Sequence, residues 1–127
     1  MEVTTHRGQG PLQQVIEIGP HRILTDVSKE YGGEDSGPEP HDILAAALAA
    51  CTTLTVTLYA KRKGYALDEV QVSIKHGQEG AVYGLHRSIR YVGALSAEEK
   101  QRLTEVANKC PVHKTLSGTI TITTEAH

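Results

Sequence analysis

The sequence contains no tryptophan and no phenylalanine; its aromatic residues are five tyrosines. Stacking platforms for nucleic-acid bases are therefore not expected. Nor does one sign of charge dominate. Thirteen Lys and Arg stand against 15 Asp and Glu, a net of −2 at pH 7. Nucleic-acid binding needs clustered cations, so no nucleic-acid partner is expected. Two cysteines are too few for a secreted disulfide scaffold. Residues 1–20 lack the apolar central run of a signal peptide. The expected compartment is the reducing cytoplasm, where any disulfide between Cys51 and Cys110 is transient. There are no repeats and no low-complexity tracts. "RGQGP" lacks the lysine and helix of a phosphate-binding loop, and no serine-centred nucleophile elbow is present. At 127 residues the chain has the size of one ordinary domain, 1–127.

Against these absences stands one long apolar run. No charge interrupts the chain from Ile43 to Ala60. That is close to the lower limit for spanning a bilayer, about 18 residues. Four threonines (Thr52, Thr53, Thr55 and Thr57) and many alanines dilute its hydrophobicity, so it reads as a core helix with no membrane partner. Pro38 and Pro40 suit the lead-in. Lys61, Arg62 and Lys63 oppose the helix dipole in the last turn, and Gly64 is a natural stop. The helix is expected from about 40 to 62. It is apolar all round, with Ile43, Ala47, Ala50 and Leu54 on one stripe and Leu44, Leu48, Cys51 and Leu58 on another. One antiparallel sheet covers only one side of a helix. The other side is expected to meet a second copy of the chain, in an obligate dimer.

Elsewhere the period is that of strands. "VIEIG" and "HRILTDV" flank a Gly19–Pro20 turn and read as a hairpin, with "EVTTHRG" a further strand. Residues 29–42 are rich in glycine and proline and read as a loop. "LDEVQVSIKHG" alternates cleanly, and "GLHRSIRYVG" is a less regular strand. Ser96, three residues before Glu99, sets a capping box for an amphipathic helix that Pro111 interrupts. "PVHKTLSG" suits one more helical turn, and "TITITTE" reads as a closing strand. Strands and helices do not alternate as parallel βαβ units require, so the fold class is α+β with a largely antiparallel sheet.

Few residues here can do chemistry. A lone cysteine in an apolar helix, such as Cys51, reads first as core packing. Cys110 lies where one helix ends and Pro111 begins another, and a helix N-terminus lowers a thiol's pKa; it is a candidate reactive thiol. "CPVH", from Cys110 to His113, has chelate spacing. A zinc site would also need Cys51 and His41 or His6, and tetrahedral zinc sites normally carry paired short spacings, of which one is present. No resident metal or cofactor is expected.

"GPEPHDILAAALAACTTLTVTLYAKRKG", followed about 60 residues later by "NKCPVHKTLSGTITI", resembles the OsmC/Ohr family, the osmotically inducible and organic-hydroperoxide-resistance proteins, in its general OsmC-like subgroup. The likeness covers roughly residues 31–123. It implies an OsmC-like α+β fold, with largely antiparallel sheets around a long buried central helix, in an intertwined homodimer with active sites at the subunit interface. It implies a thiol peroxidase acting on organic hydroperoxides, with Cys51 as the peroxidatic and Cys110 as the resolving cysteine. An external dithiol, lipoyl-based in the Ohr branch, restores the thiols. The family's thiolate-stabilising arginine is best matched by Arg7, with Arg22 and Lys29 as alternatives. Its glutamate position, ten residues before the peroxidatic cysteine, is His41 here. Two other readings stay open: a non-catalytic dimer that binds a small hydrophobic ligand, and a zinc-binding structural module.

Overall fold

The computed structural model describes residues 1–127. The chain divides into two compact units, residues 1–44 and 45–127.

The first unit is a three-stranded antiparallel meander: β1 (Val3–Arg7), β2 (Gln14–Ile18) and β3 (His21–Thr25), with β2 in the centre. The Gly19–Pro20 turn sets the β2–β3 register, pairing Ile18 with His21 and Ile16 with Ile23. Gly19 sits at φ 56°, a conformation that favours glycine. After β3 the chain enters the expected loop, which holds one 3₁₀ turn at Lys29–Tyr31. Its glycines have a steric reason. A Cβ on Gly33 would lie 2.2 Å from the Val27 carbonyl oxygen, and one on Gly37 2.6 Å from that of Leu24.

Asp26 organises this loop. Its Oδ1 accepts the Val27 N–H (2.8 Å). Its Oδ2 accepts the N–H groups of Glu34 and Ser36 (both 3.2 Å) and the Ser36 hydroxyl (2.6 Å). The Ser36 hydroxyl first, then the Val27 N–H, hold the carboxyl down to about 2 against the opposing effect of its burial. Because the folded-state pKa is depressed, this stabilisation is present above about pH 4 and is lost as the pH falls toward 2. Asp26→Asn is expected to lower the unfolding midpoint at pH 7, with the gap to wild type closing by about pH 2. Urea titrations at both pH values check this; a gap that does not narrow with acid contradicts it.

The second unit carries most of α1 (Pro40–Lys63), a long hairpin of β4 (Leu67–Glu79) and β5 (Val82–Gly93), then α2 (Ala97–Ala107) and α3 (Pro111–Ser117). The end of α1 is a Schellman motif: Tyr65 N–H bonds the Ala60 carbonyl (2.9 Å), Gly64 N–H bonds that of Lys61 (3.3 Å), and Gly64 takes φ 72°. Tyr65 meets Tyr59 edge-on across it. The capping box of α2 forms as expected, with Ser96 and Glu99 exchanging both bonds.

Within α1 the buried residues are Ala45, Leu48, Thr52, Val56 and Ala60, spaced three or four apart on a single stripe. Val56 and Ala60 pack with Val70, Leu103 and Ala107 as the core, flanked by Tyr59, Leu67, Val72, Ile89 and Tyr91. The opposite stripe is uncovered: Leu54 and Leu58 are 64% and 60% exposed. By length and composition alone α1 could cross a bilayer. Its buried stripe and its threonines suit a core helix with one face left to cover.

One expected element does not form. Residues 119–125, "TITITTE", are not a strand. Strand identity depends on a ladder partner, and β4 and β5 pair only with each other. Ile120 and Ile122 are consequently exposed.

Candidate thiol site

The site is built where α1, β5 and the turn between α2 and α3 converge. Thr52 and Cys51 share one turn of α1. Thr52 is fully buried and donates its hydroxyl proton to the Leu48 carbonyl (2.7 Å). Its remaining lone pairs face Arg87, whose Nη1 donates at 2.9 Å, and the Cys110 sulfur at 3.9 Å.

Cys110 is the N-cap of α3, with Pro111 in the first helical position. Proline is pre-shaped for that position and lacks the N–H that would go unpaired there. Cys110 is fully buried, and its sulfur accepts the His113 N–H at 3.4 Å. The same first turn aims the Val112 N–H at the Cys51 sulfur, 3.5 Å away. The turn that Cys110 caps thus lies against Cys51, and the Cys110 thiol is among the groups that lower the Cys51 pKa, although the two are far apart in sequence.

Burial is the largest single influence on the Cys51 thiol and pushes its pKa up. The Val112 N–H, the Cys110 thiol, the Thr55 hydroxyl and the charge of Arg87 together outweigh it, and the net direction is down. Each of these stabilises the thiolate, the reactive form. The half-buried Cys51 can be reached from solvent, whereas the Cys110 sulfur is sealed.

Arg87 arrives from β5. Tyr83, Leu85, Arg87, Ile89 and Tyr91 all point inward along that strand, so an arginine occupies an apolar phase. Besides Thr52, its guanidinium donates to Asn108 Oδ1 (2.9 Å) and His113 Nδ1 (3.1 Å). Arginine cannot accept, so His113 Nδ1 carries no proton in this arrangement. A cavity of about 560 Å³ opens beside Arg87 and His113, walled by Leu48, Leu85, Ile89 and Leu116. Neither sulfur lines it.

The other residues singled out in the sequence belong to residues 1–44, the first unit. Arg7 ends β1 and is exposed; Arg22 is in β3, bonded to Glu17, and Lys29 begins the 3₁₀ turn, all within the first unit. His41 is exposed in the first turn of α1, ten residues before Cys51. The cation beside Cys51 in this structure is Arg87, which the sequence reading passed over. The available signal was its phase, since "LHRSI" places an arginine in register with Leu85 and Ile89. No group of three or more His, Cys, Asp or Glu side chains stands where it could hold a metal ion. The chelate spacing of Cys110 and His113 instead serves the cap and the bond to Arg87.

The OsmC-like protein family model matches residues 33–125. Solved structures share the fold. An OsmC-like protein from Mycoplasma pneumoniae superposes with a TM-score of 0.76 at 21% identity, covering 92% of this chain and 86% of its own. An organic hydroperoxide resistance protein OsmC from Legionella pneumophila gives 0.67 at 21% identity, covering 92% and 88%. One from Elizabethkingia anophelis, with thiocyanate bound, gives 0.67 at 24% identity, covering 91% and 86%. No curated protein matches the sequence.

Proposed function

The chain belongs to the OsmC-like family, and from that premise we propose that it reduces organic hydroperoxides through the Cys51 and Cys110 thiols. The observation that carries this reading is the meeting of the two thiols, with the more accessible one biased toward its thiolate. The Cys51 thiolate attacks the terminal peroxide oxygen. The O–O bond breaks, the alkoxide leaves and takes a proton to become the alcohol, and Cys51 becomes a sulfenic acid. The Cys110 thiol displaces its hydroxyl, giving a disulfide and water. An external dithiol then exchanges with the disulfide and is itself oxidised, restoring both thiols. The hydroperoxide-resistance names of the Legionella and Elizabethkingia structures support the substrate class.

The acting form is a homodimer in a reducing cytoplasm. The uncovered stripe of α1, with Leu54 and Leu58, and the exposed Ile120 and Ile122 supply apolar surface for a second copy. Arg7 and His41 are then candidates to complete the site, as the family pattern implies.

The test is turnover. Purified protein with an alkyl hydroperoxide and a dithiol is expected to produce the alcohol catalytically. Stoichiometric or absent consumption contradicts the proposal. The cavity walled by Leu48, Leu85, Ile89 and Leu116 favours one alternative, a non-catalytic receptor for small apolar ligands. In that case Cys51 would resist alkylation at neutral pH.

A further inference from the structure

All three hydrogen bonds from Arg87 go to neutral acceptors, and each acceptor flanks a cysteine. Thr52 directly follows Cys51 in α1. Asn108 is the C-cap of α2, two residues before Cys110, and His113 lies in α3, three residues after it. One side chain from β5 therefore ties the helix that carries one sulfur to both sides of the turn that carries the other. Fork geometry makes this possible, because a guanidinium presents several donors in fixed directions and an ammonium does not. Apart from Arg87, the turn meets α1 in two longer sulfur contacts, Val112 N–H to the Cys51 sulfur (3.5 Å) and Thr52 Oγ1 to the Cys110 sulfur (3.9 Å). After Ala107, the backbone N–H groups of Asn108, Lys109 and Cys110 bond only to residues of α2, and the Cys110 carbonyl accepts only from Lys114 of the seven-residue α3.

Resting on the thiol-redox reading, we infer that Arg87 is a positioning residue that clamps the Cys110 turn against Cys51, so that the sulfenic acid condenses to the disulfide before a second peroxide can reach it. In condensation, Cys51–SOH and Cys110–SH give the S–S bond and water. In the competing path, a second hydroperoxide transfers its terminal oxygen to the sulfenate, giving sulfinic acid and another alcohol. Thr52 and the clamp fix which path is shorter, because intramolecular attack depends on how closely the partner thiol is held.

The experiment treats reduced full-length protein with one equivalent of tert-butyl hydroperoxide, then follows disulfide by intact mass, sulfenic acid by dimedone trapping and sulfinic acid under excess peroxide. Wild type is expected to pass almost wholly to disulfide. Arg87→Gln is expected to slow condensation roughly tenfold or more, with dimedone adduct and sulfinic acid rising in its place. Arg87→Lys keeps a cation. It is expected to recover Cys51 alkylation relative to Arg87→Gln without recovering the condensation rate. Asn108→Ala removes one arm of the clamp and leaves the charge, and is expected to slow condensation by a smaller factor; it carries the test if Arg87→Gln does not fold. Condensation at the wild-type rate in Arg87→Gln or Asn108→Ala overturns the clamp, as does full recovery in Arg87→Lys. A wild type that forms neither sulfenic acid nor disulfide overturns the redox reading itself, and is distinguishable because no variant comparison enters it.

Discussion

Cys51→Ser is expected to abolish dithiol-dependent hydroperoxide turnover, by at least about a thousandfold. A serine oxygen cannot be oxidised by a peroxide, so no sulfenic intermediate can form. Cys110 is expected not to substitute, because it is fully buried while Cys51 is only partly so. The same logic fixes a pH signature for the wild type. The thiolate is the nucleophile and the Cys51 pKa is lowered. Its alkylation should therefore reach half-maximum below the value of a free cysteine, about 8.5, and fall as the pH drops further. Iodoacetamide labelling across pH, read by peptide mass spectrometry, gives both the residue and the midpoint. Persistent turnover in Cys51→Ser, or a midpoint above that of free cysteine, contradicts the assignment.

The second large effect concerns the core beneath the site. Leu103→Ala is expected to destabilise the protein by about 3–5 kcal/mol, as full burial of a leucine and a poorly collapsing cavity imply. Leu103 is fully buried between Val56 and Ala60 of α1 and Val70 of β4, with Ala107 one turn along its own helix. The neighbouring alanines are too small to fill the space left behind. The loss matters for chemistry as well as stability. α2 delivers Asn108 and the Cys110 turn, and this leucine shares the buried cluster with Val56 and Ala60 of α1. Urea unfolding of variant and wild type measures the difference; a change under about 1 kcal/mol contradicts this packing account.

Much of this was readable from local rules. The proline lead-in, the basic last turn and Gly64 bounded α1 to within a residue, because caps and dipole partners act locally. The Ser96–Glu99 box and the Cys110–Pro111 junction were equally local, and both formed. The strands of both hairpins followed from period-two alternation. The closing "TITITTE" strand failed for a different reason. Its alternation is real, but a strand needs a partner, and pairing is not encoded in the segment itself. The two sulfurs were linked in advance by family likeness, not by spacing. Arg87 was not among the cations singled out, because the family likeness pointed to Arg7, Arg22 and Lys29, while Arg87 sat in a strand. Its inward phase between Leu85 and Ile89 was a physical anomaly, since a charge among apolar positions requires partners. Those partners, Thr52, Asn108 and His113, come from three other elements, and only the folded chain assembles them.

The most direct test of the central claim is a map of the oxidised thiols. Reduced protein is given one equivalent of an alkyl hydroperoxide, its free thiols are titrated, and a non-reducing digest is analysed by mass spectrometry. The account predicts that both thiols of each chain disappear and that one peptide pair joins residues 51 and 110. Two thiols still titratable, with the peroxide unconsumed, would contradict it.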